Sequence, residues 1–374
     1  MRLYLMLVML NFMPQDAVRL TETISKPVNV SAGWQKGWFA VVADEKLLQF
    51  RPEILDDGTA MIHRKISSTP GYIFEMSLQP NGERLLTHQS GEKGTIVWSE
   101  NWTQVFAIDS GAYKPETRRL SLSEDGNRVV LARRSFDHEG TEIWDLHLVD
   151  LVLKTNKTLN LGNQSHGVVG MGLSPDGKLA VVAHHQGQID FVSIPELNLL
   201  HQLHTKDHLC TSVEFTSDGR YVGLLNMTDF VMLNCESGME FVRWSANKTD
   251  ADRNYLYSFD FSPTGESVYI GIADFPANKT FHISRLPVAD LSVMNHSPPL
   301  KGISHSPQFE LQSVDASPDD EWIATVASTP AATEISFSRV AAFESIIRFP
   351  LPEDSTSDRE SDLGSVKPSN TDEH

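Results

Sequence analysis

The residues best able to do chemistry are histidines gathered near the middle of the chain. His184 and His185 are adjacent, and His201, His204 and His208 follow at close spacing. Zinc needs three or four His, Cys or carboxylate donors converging at about 2 Å. On a helix such spacing could chelate. On a strand His201 and His204 point to opposite faces, and the flanking residues read as strand. No nucleophile motif stands out. The chain contains no Gly-x-Ser-x-Gly elbow, no His-Glu-x-x-His pair and no phosphate-binding glycine loop. Leu161–Gly162–Asn163 is an isolated glycine turn. The expectation is that there are no catalytic residues, metal ligands or cofactors.

Composition narrows the partners. The 374 residues carry 31 basic and 49 acidic side chains, a formal net charge of −18, and 40% are hydrophobic. That apolar share supports a large buried core. A chain this acidic repels a phosphate backbone, and its Lys and Arg form no compensating cluster, so nucleic acid is not the expected ligand. Cys210 and Cys235 are the two cysteines. They fall at separated places of one repeat, so a disulfide is not expected and both read as buried small residues.

The N-terminus invites two readings. Arg2 precedes the apolar run Leu3–Met13, which is too short for a membrane span and has the outline of an export signal. Cleavage after Ala17 would put Gln15 where a small residue is wanted. The other reading of residues 1–27 is a strand that closes the fold. Eight Asn-x-Ser/Thr sequons occur, at Asn29, Asn101, Asn156, Asn163, Asn226, Asn247, Asn278 and Asn295. That exceeds the two or three that composition would give. Sequons are glycan acceptors only in a secretory pathway, whereas Asn and Thr also favour turns and strand ends. Cytoplasmic and exported locations both stay open.

The elements that position all of these come from a repeat. Met171–Gly–Leu–Ser–Pro–Asp–Gly177 leads into Lys178–Leu–Ala–Val–Val–Ala183. Variants end at Gly82, Gly126, Gly219, Gly265 and Asp320, and a degenerate copy, Gly37–Ala43, aligns without gaps on Gly177–Ala183. Asp–Gly and Asn–Gly accept the positive φ of a tight hairpin, and a preceding Pro presets φ near −65°. Successive turn positions lie 45, 44, 51, 42, 46 and 55 residues apart. A period of about 40–50 residues with several short β-rich runs and no helical periodicity is the mark of propeller blades. The third strands read as Leu47–Phe50, Thr95–Trp98, Glu142–Leu146, Gln188–Phe191, Asp229–Leu233, Thr280–Ile283 and Glu334–Phe337. The fourth strands read as Met61–His63, Val105–Ile108, Thr158–Leu161, Leu199–Leu203, Glu240–Trp244 and Ile346–Phe349, with a faint one between Leu286 and Val293. The expected fold is all-β: a seven-bladed β-propeller of four antiparallel strands per blade over residues 28–350. Residues 351–374, with seven acidic and two basic side chains, read as a disordered acidic tail.

Within this frame the blades resemble degenerate WD40 repeats. Trp98–Ser99 and Trp144–Asp145 stand at or near the end of a third strand, where that family has its Trp–Asp pair. His166 and His208 each lie eleven residues before a turn glycine, Gly177 and Gly219, which follow Asp176 and Asp218. The resemblance implies structural roles for these positions and tetrads of hydrogen bonds that are incomplete in this chain. It implies an architecture and no common activity. Similar turns occur in lactonase-like propellers.

The function expected is a non-catalytic scaffold that binds a protein or peptide partner, as a monomer within a larger complex. Trp34 and Trp102, placed in loops, are the candidate interface aromatics, although a wedge against a neighbouring blade is the commoner fate. The alternative is a lactonase-like or metal-dependent propeller enzyme or small-ligand binder. Its groups would be the histidines, or Asp145, Asp150, Asp190 and Glu214 converging on a central channel. Carboxylates in such runs also serve simply as turn and strand-end residues.

Overall fold

The computed structural model describes residues 19–24, 30–35, 37–43, 46–56, 58–68, 73–79, 83–89, 94–99, 103–108, 116–162, 167–205, 210, 212–246, 253–275, 280–288, 310–328 and 332–340. The chain enters with β1 (Arg19–Ile24). Blade one is β2 (Val30–Gln35), β3 (Trp38–Ala43), β4 (Lys46–Ile54) and β5 (Ala60–Ser68). Blade two is β6 (Ile73–Leu78), β7 (Arg84–Gln89), β8 (Thr95–Ser99) and β9 (Gln104–Ile108). Blade three is β10 (Glu116–Leu122), β11 (Arg128–Phe136), β12 (Glu142–Asp150) and β13 (Thr155–Gly162). Blade four is β14 (Val168–Leu173), β15 (Leu179–His184), β16 (Gln188–Ser193) and β17 (Leu199–His204). Blade five is β18 (Ser212–Phe215), β19 (Tyr221–Leu225), β20 (Asp229–Asn234) and β21 (Glu240–Ser245). Blade six contributes β22 (Arg253–Phe261), β23 (Ser267–Phe275) and β24 (Thr280–Pro287). Blade seven contributes β25 (Glu310–Ala316), β26 (Trp322–Ser328) and β27 (Thr333–Arg339). Each group pairs antiparallel in chain order, as expected of a seven-bladed ring.

Hydrophobic burial holds the ring together. Seven apolar clusters form among the described residues, and each spans one seam between neighbouring blades. The second strands are therefore buried on both faces. In β15, Ala180 and Val182 face blade three while Val181 and Ala183 face blade five. Such strands read as continuous apolar runs rather than alternating ones. Cys210 and Cys235 are free thiols in the seam between blades four and five, as expected.

The ring closes at its two ends. β1 pairs antiparallel with β27, from Arg19 opposite Ser338 to Ile24 opposite Thr333, and forms the outer strand of blade seven. This strand lies within the segment expected to be either an export signal or a closing strand. The outer strand expected for blade seven from the sequence, Ile346–Phe349, lies outside the described residues. So do Leu3–Met13, the faint fourth strand after Val288, and the acidic tail.

Four of the turns between first and second strands share one hydrogen-bond design. In blade four, Ser174 Oγ donates to Asp176 Oδ1 at 2.7 Å and accepts from Leu179 N at 2.9 Å, while Asp176 accepts from Lys178 N. Ser123–Asp125, Thr216–Asp218 and Ser317–Asp319 repeat it. Gly177 and Gly219 hold φ of +66° and +69°, and Asp320 stands in the same left-handed conformation at +56°. Blade one differs. Gln35 pairs with Trp38 across a shorter turn, and Ala40 and Val42 pack toward blade two whereas Ala180 and Val182 pack toward blade three. The gapless alignment of Gly37 on Gly177 is thus out of register, matching residues that face opposite seams. In a strand that exchanges the two faces.

Candidate functional site

The channel wall is built from the first strand of each blade. Two residues ahead of each turn, the side chains are Ser77, Ser121, Gly172, Glu214, Asp260 and Asp315. Pairing registers confirm the equivalence: Gly172 faces Val181, Glu214 faces Gly223, Asp260 faces Tyr269 and Asp315 faces Ala324. Three consecutive blades therefore carry a carboxylate at one level. Asp260 leans across the seam, its Oδ2 accepting from Ala316 N at 2.8 Å. Asp315 Oδ1 lies 3.4 Å from where a Cβ on Gly33 would stand.

Crowding disfavours charge here. Burial, and then the negative charge of Asp315, push Glu214 up to about 7. Glu214 keeps open contact with channel solvent, so dense surroundings and like charge act on it rather than sealing from water. Burial and the charges of Asp315 and Glu214 push Asp260 well above the usual carboxylate range, against the pull of the Ala316 and Phe261 amides.

Of the four carboxylates expected at a channel, only Glu214 is on an inner strand. Asp145 and Asp190 lie on third strands, and Asp150 caps a turn by accepting from Val152 N and Leu153 N. Asp260 and Asp315 were missed. Their signal, an acid two residues before each turn serine, appears only once the turns are superposed.

The histidines do not converge. His184 is fully buried, its Nε2 2.9 Å from Asp190 Oδ2. Gln188 and Gln202 also donate to Asp190, each at about 3.0 Å. Burial opposes ionisation of Asp190, but the bonds from His184, Gln202 and Gln188 outweigh it and hold the carboxyl below its ordinary range. His201 Nε2 sits 2.8 Å from Glu236 O, and His204 is exposed. Among the described residues, no group of three or more His, Cys, Asp and Glu is arranged to hold a metal ion. His166 and His208 lie outside the described residues.

The tryptophans correct two expectations. Trp34 is no loop aromatic: it lies in β2, 8% exposed, edge-on to Phe337 and donating from Nε1 to Asp315 O at 3.1 Å. It is a wedge between blades one and seven. Trp98 lies near the end of β8 and donates from Nε1 to Thr87 Oγ1 at 2.8 Å. Trp144–Asp145 lies near the start of β12 instead of its end. Trp98 pairs with Leu85, and the matching pair in blade three is Val129 with Val149, so Val149–Asp150 holds the expected Trp–Asp place. The ring of Trp144 packs over Gly167, and Asp145 lies beside Arg133. Trp102 lies outside the described residues.

The outer rim of blades four and five exposes several large apolar side chains. Leu199 and Leu200 of β17 are 50% and 51% exposed, and Met239 and Phe241 are 70% and 51% exposed. Between β17 and β21 runs a groove of about 730 Å³ lined by Leu203, His204, Asp229, Leu233, Met239 and Arg243.

No protein-family model and no curated protein sequence matches this chain. Among solved structures, it is similar to the β-propeller domain of Myceliophteria thermophila Cps50 (Swd1), with a TM-score of 0.59 and 14% identity. That likeness covers 84% of this chain and 98% of the other. With the seven antiparallel sheets and the β1–β27 closure, it shows that the chain folds as a WD40-like β-propeller.

Proposed function

We propose that this chain is a non-catalytic scaffold whose propeller holds a protein or peptide partner as one subunit of a larger complex. The observation that carries this reading is the outer rim of blades four and five, where Leu199, Leu200, Met239 and Phe241 each leave half or more of the side chain exposed. Exposed apolar patches with a polar border mark interaction sites. Glu196, Glu236, Glu240 and Arg243 lie near these positions in the sequence. The fold supports the reading because seam packing fixes the outer strands without help from a ligand.

The test is substitution of Leu199, Leu200, Met239 and Phe241 by Ser, followed by quantitative affinity purification from the native cell. The expected outcome is loss of a partner that copurifies stoichiometrically with the wild type, at unchanged thermal stability. Retention of every partner by the variant, or hydrolysis of lactones or peptides by the purified wild type, would refute it.

A further inference from the structure

Backbone ladders stop at the edge of each blade, so an outer strand reaches the next blade through its side chains. Blades three and four do this at one level. Lys157 Nζ of β13 donates to Pro195 O at 2.9 Å, and His201 Nε2 of β17 reaches Glu236 O at 2.8 Å. The two side chains are equivalent: Lys157 traces through Leu148 and Val130 to Ser121, and His201 through Phe191 and Val181 to Gly172. Each carbonyl stands at the same place in the turn before the next outer strand, residues 193–198 in blade four and 234–239 in blade five. Both turns are thus held by the blade before them.

The residues that follow these turns carry the apolar surface. Leu200 and Phe241 occupy the same extra place in their ladders, between Leu199 and His201 and between Glu240 and Val242. A bulged residue is left out of the pairing and its side chain is re-aimed. Phe241 is steadied by Tyr221, with ring centroids 4.6 Å apart.

Residues 234–239 form a wall between two hollows. On one side Ser237, Gly238 and Met239 line the groove of about 730 Å³ along β17. On the other, Asn234, Cys235 and Glu236 line a hollow of about 590 Å³. Glu124, Asp176, Asp218 and Glu236 face this second hollow, against Lys178 and Arg220. Both bases are already engaged, Lys178 by Asp176 at 3.2 Å and Arg220 by Asp218. Among the described residues, the exposed carboxylates of Glu124 and Glu236 form no ion pair. Uncompensated negative charge therefore lies across one turn from exposed apolar side chains.

Given the scaffold role proposed above, we propose that this wall docks a partner segment that sets large apolar side chains against Leu200, Met239 and Phe241 and a Lys or Arg in the hollow beside Glu124 and Glu236. Charge disfavours the other occupants. A second copy of this chain brings a net charge of −18 of its own, and an anionic membrane surface is repelled in the same way. A basic segment gains from the unpaired carboxylates, and turns already fixed by Lys157 and His201 lower the ordering cost of binding.

Panning a phage library of random peptides, each about a dozen residues long, against the full chain tests this. Peptides that bind should combine large apolar side chains with net positive charge. Their dissociation constants, read by fluorescence anisotropy at low salt, should rise about tenfold in Glu124→Gln/Glu236→Gln. They should rise by about tenfold or more in Leu199→Ser/Leu200→Ser/Met239→Ser/Phe241→Ser. Salt at about 0.5 M should bring the wild type close to the glutamine variant. Neutral or acidic peptides lost by the serine variant, or basic ones held equally by the glutamine variant, would overturn the basic partner and leave the apolar rim standing. If no peptide depended on the four apolar residues, the scaffold reading would fall at this rim and the docking site with it.

Discussion

Arg128 donates from Nη1 to the carbonyl oxygen of Gly177, 2.9 Å away on the turn of the next blade. Arg84 reaches Gly126 O in the same manner one blade earlier. The two arginines hold one place, the first residue after their turns, where blades four and seven have Leu179 and Trp322. A carbonyl at a turn tip is otherwise left to water, and a guanidinium spanning the seam ties turn to turn. A charge-assisted bond that is partly buried contributes about 1.5–3 kcal/mol. Arg128→Met keeps the stem and removes the donor. It should cost about 1–2 kcal/mol, read as a lower urea midpoint at unchanged slope.

Ring closure yields a sharper test. β1 buries Ile24 and completes blade seven through a six-residue ladder. Deleting residues 1–18 should leave the thermal transition in place. Deleting residues 1–24 should expose the edge of β27 and lower the transition by 10 °C or more, on the order of several kcal/mol. Equal transitions for both truncations would exclude this role for β1.

The buried Asp190 predicts an acid limb. Its folded carboxyl is depressed, so the stability it contributes is present above the unfolded value near 3.9 and vanishes as pH falls through the lower folded one. Asp190→Asn should cost about 3 kcal/mol at neutral pH and much less at the acid end of that window, measured by denaturant titration across pH.

Asp320 occupies a left-handed conformation and accepts from Tyr269 OH at 3.2 Å. Asp320→Ala adds steric cost and removes the acceptor, so it should lose about 1–2 kcal/mol. Asp320→Gly relaxes the backbone while losing the same bond and should stay within about 0.5 kcal/mol of wild type. Urea unfolding separates the two. A glycine variant as unstable as the alanine one would rule out backbone strain.

Two sequon asparagines are described, and they differ. Asn156 is exposed on the outer strand β13, whereas Asn226 Oδ1 accepts from Thr228 N at 2.7 Å inside a tight turn. Produced through a glycosylating secretory pathway, the chain should carry a glycan at Asn156 in a larger fraction of molecules than at Asn226, as read by peptide mass spectrometry after deglycosylation. The reverse order would show that fold accessibility does not govern these sites.

Sequence alone determined the number of blades, the turn residues and the apolar second strands, because each follows from local chemistry. A left-handed turn selects Gly or Asp, and a strand sandwiched between two sheets must be apolar on both faces. The long-range partners came only with the tertiary structure. β1 crosses the whole chain to find β27. Trp34 becomes a wedge because Phe337 and the Asp315 carbonyl come from the far end of the chain. A one-residue register shift recurs in inner strands at residues as unlike as Phe74, Val169, Tyr257 and Gln312. No single residue type marks it. Glu214, Asp260 and Asp315 are likewise three unremarkable acids until closure sets them at one level of the channel wall.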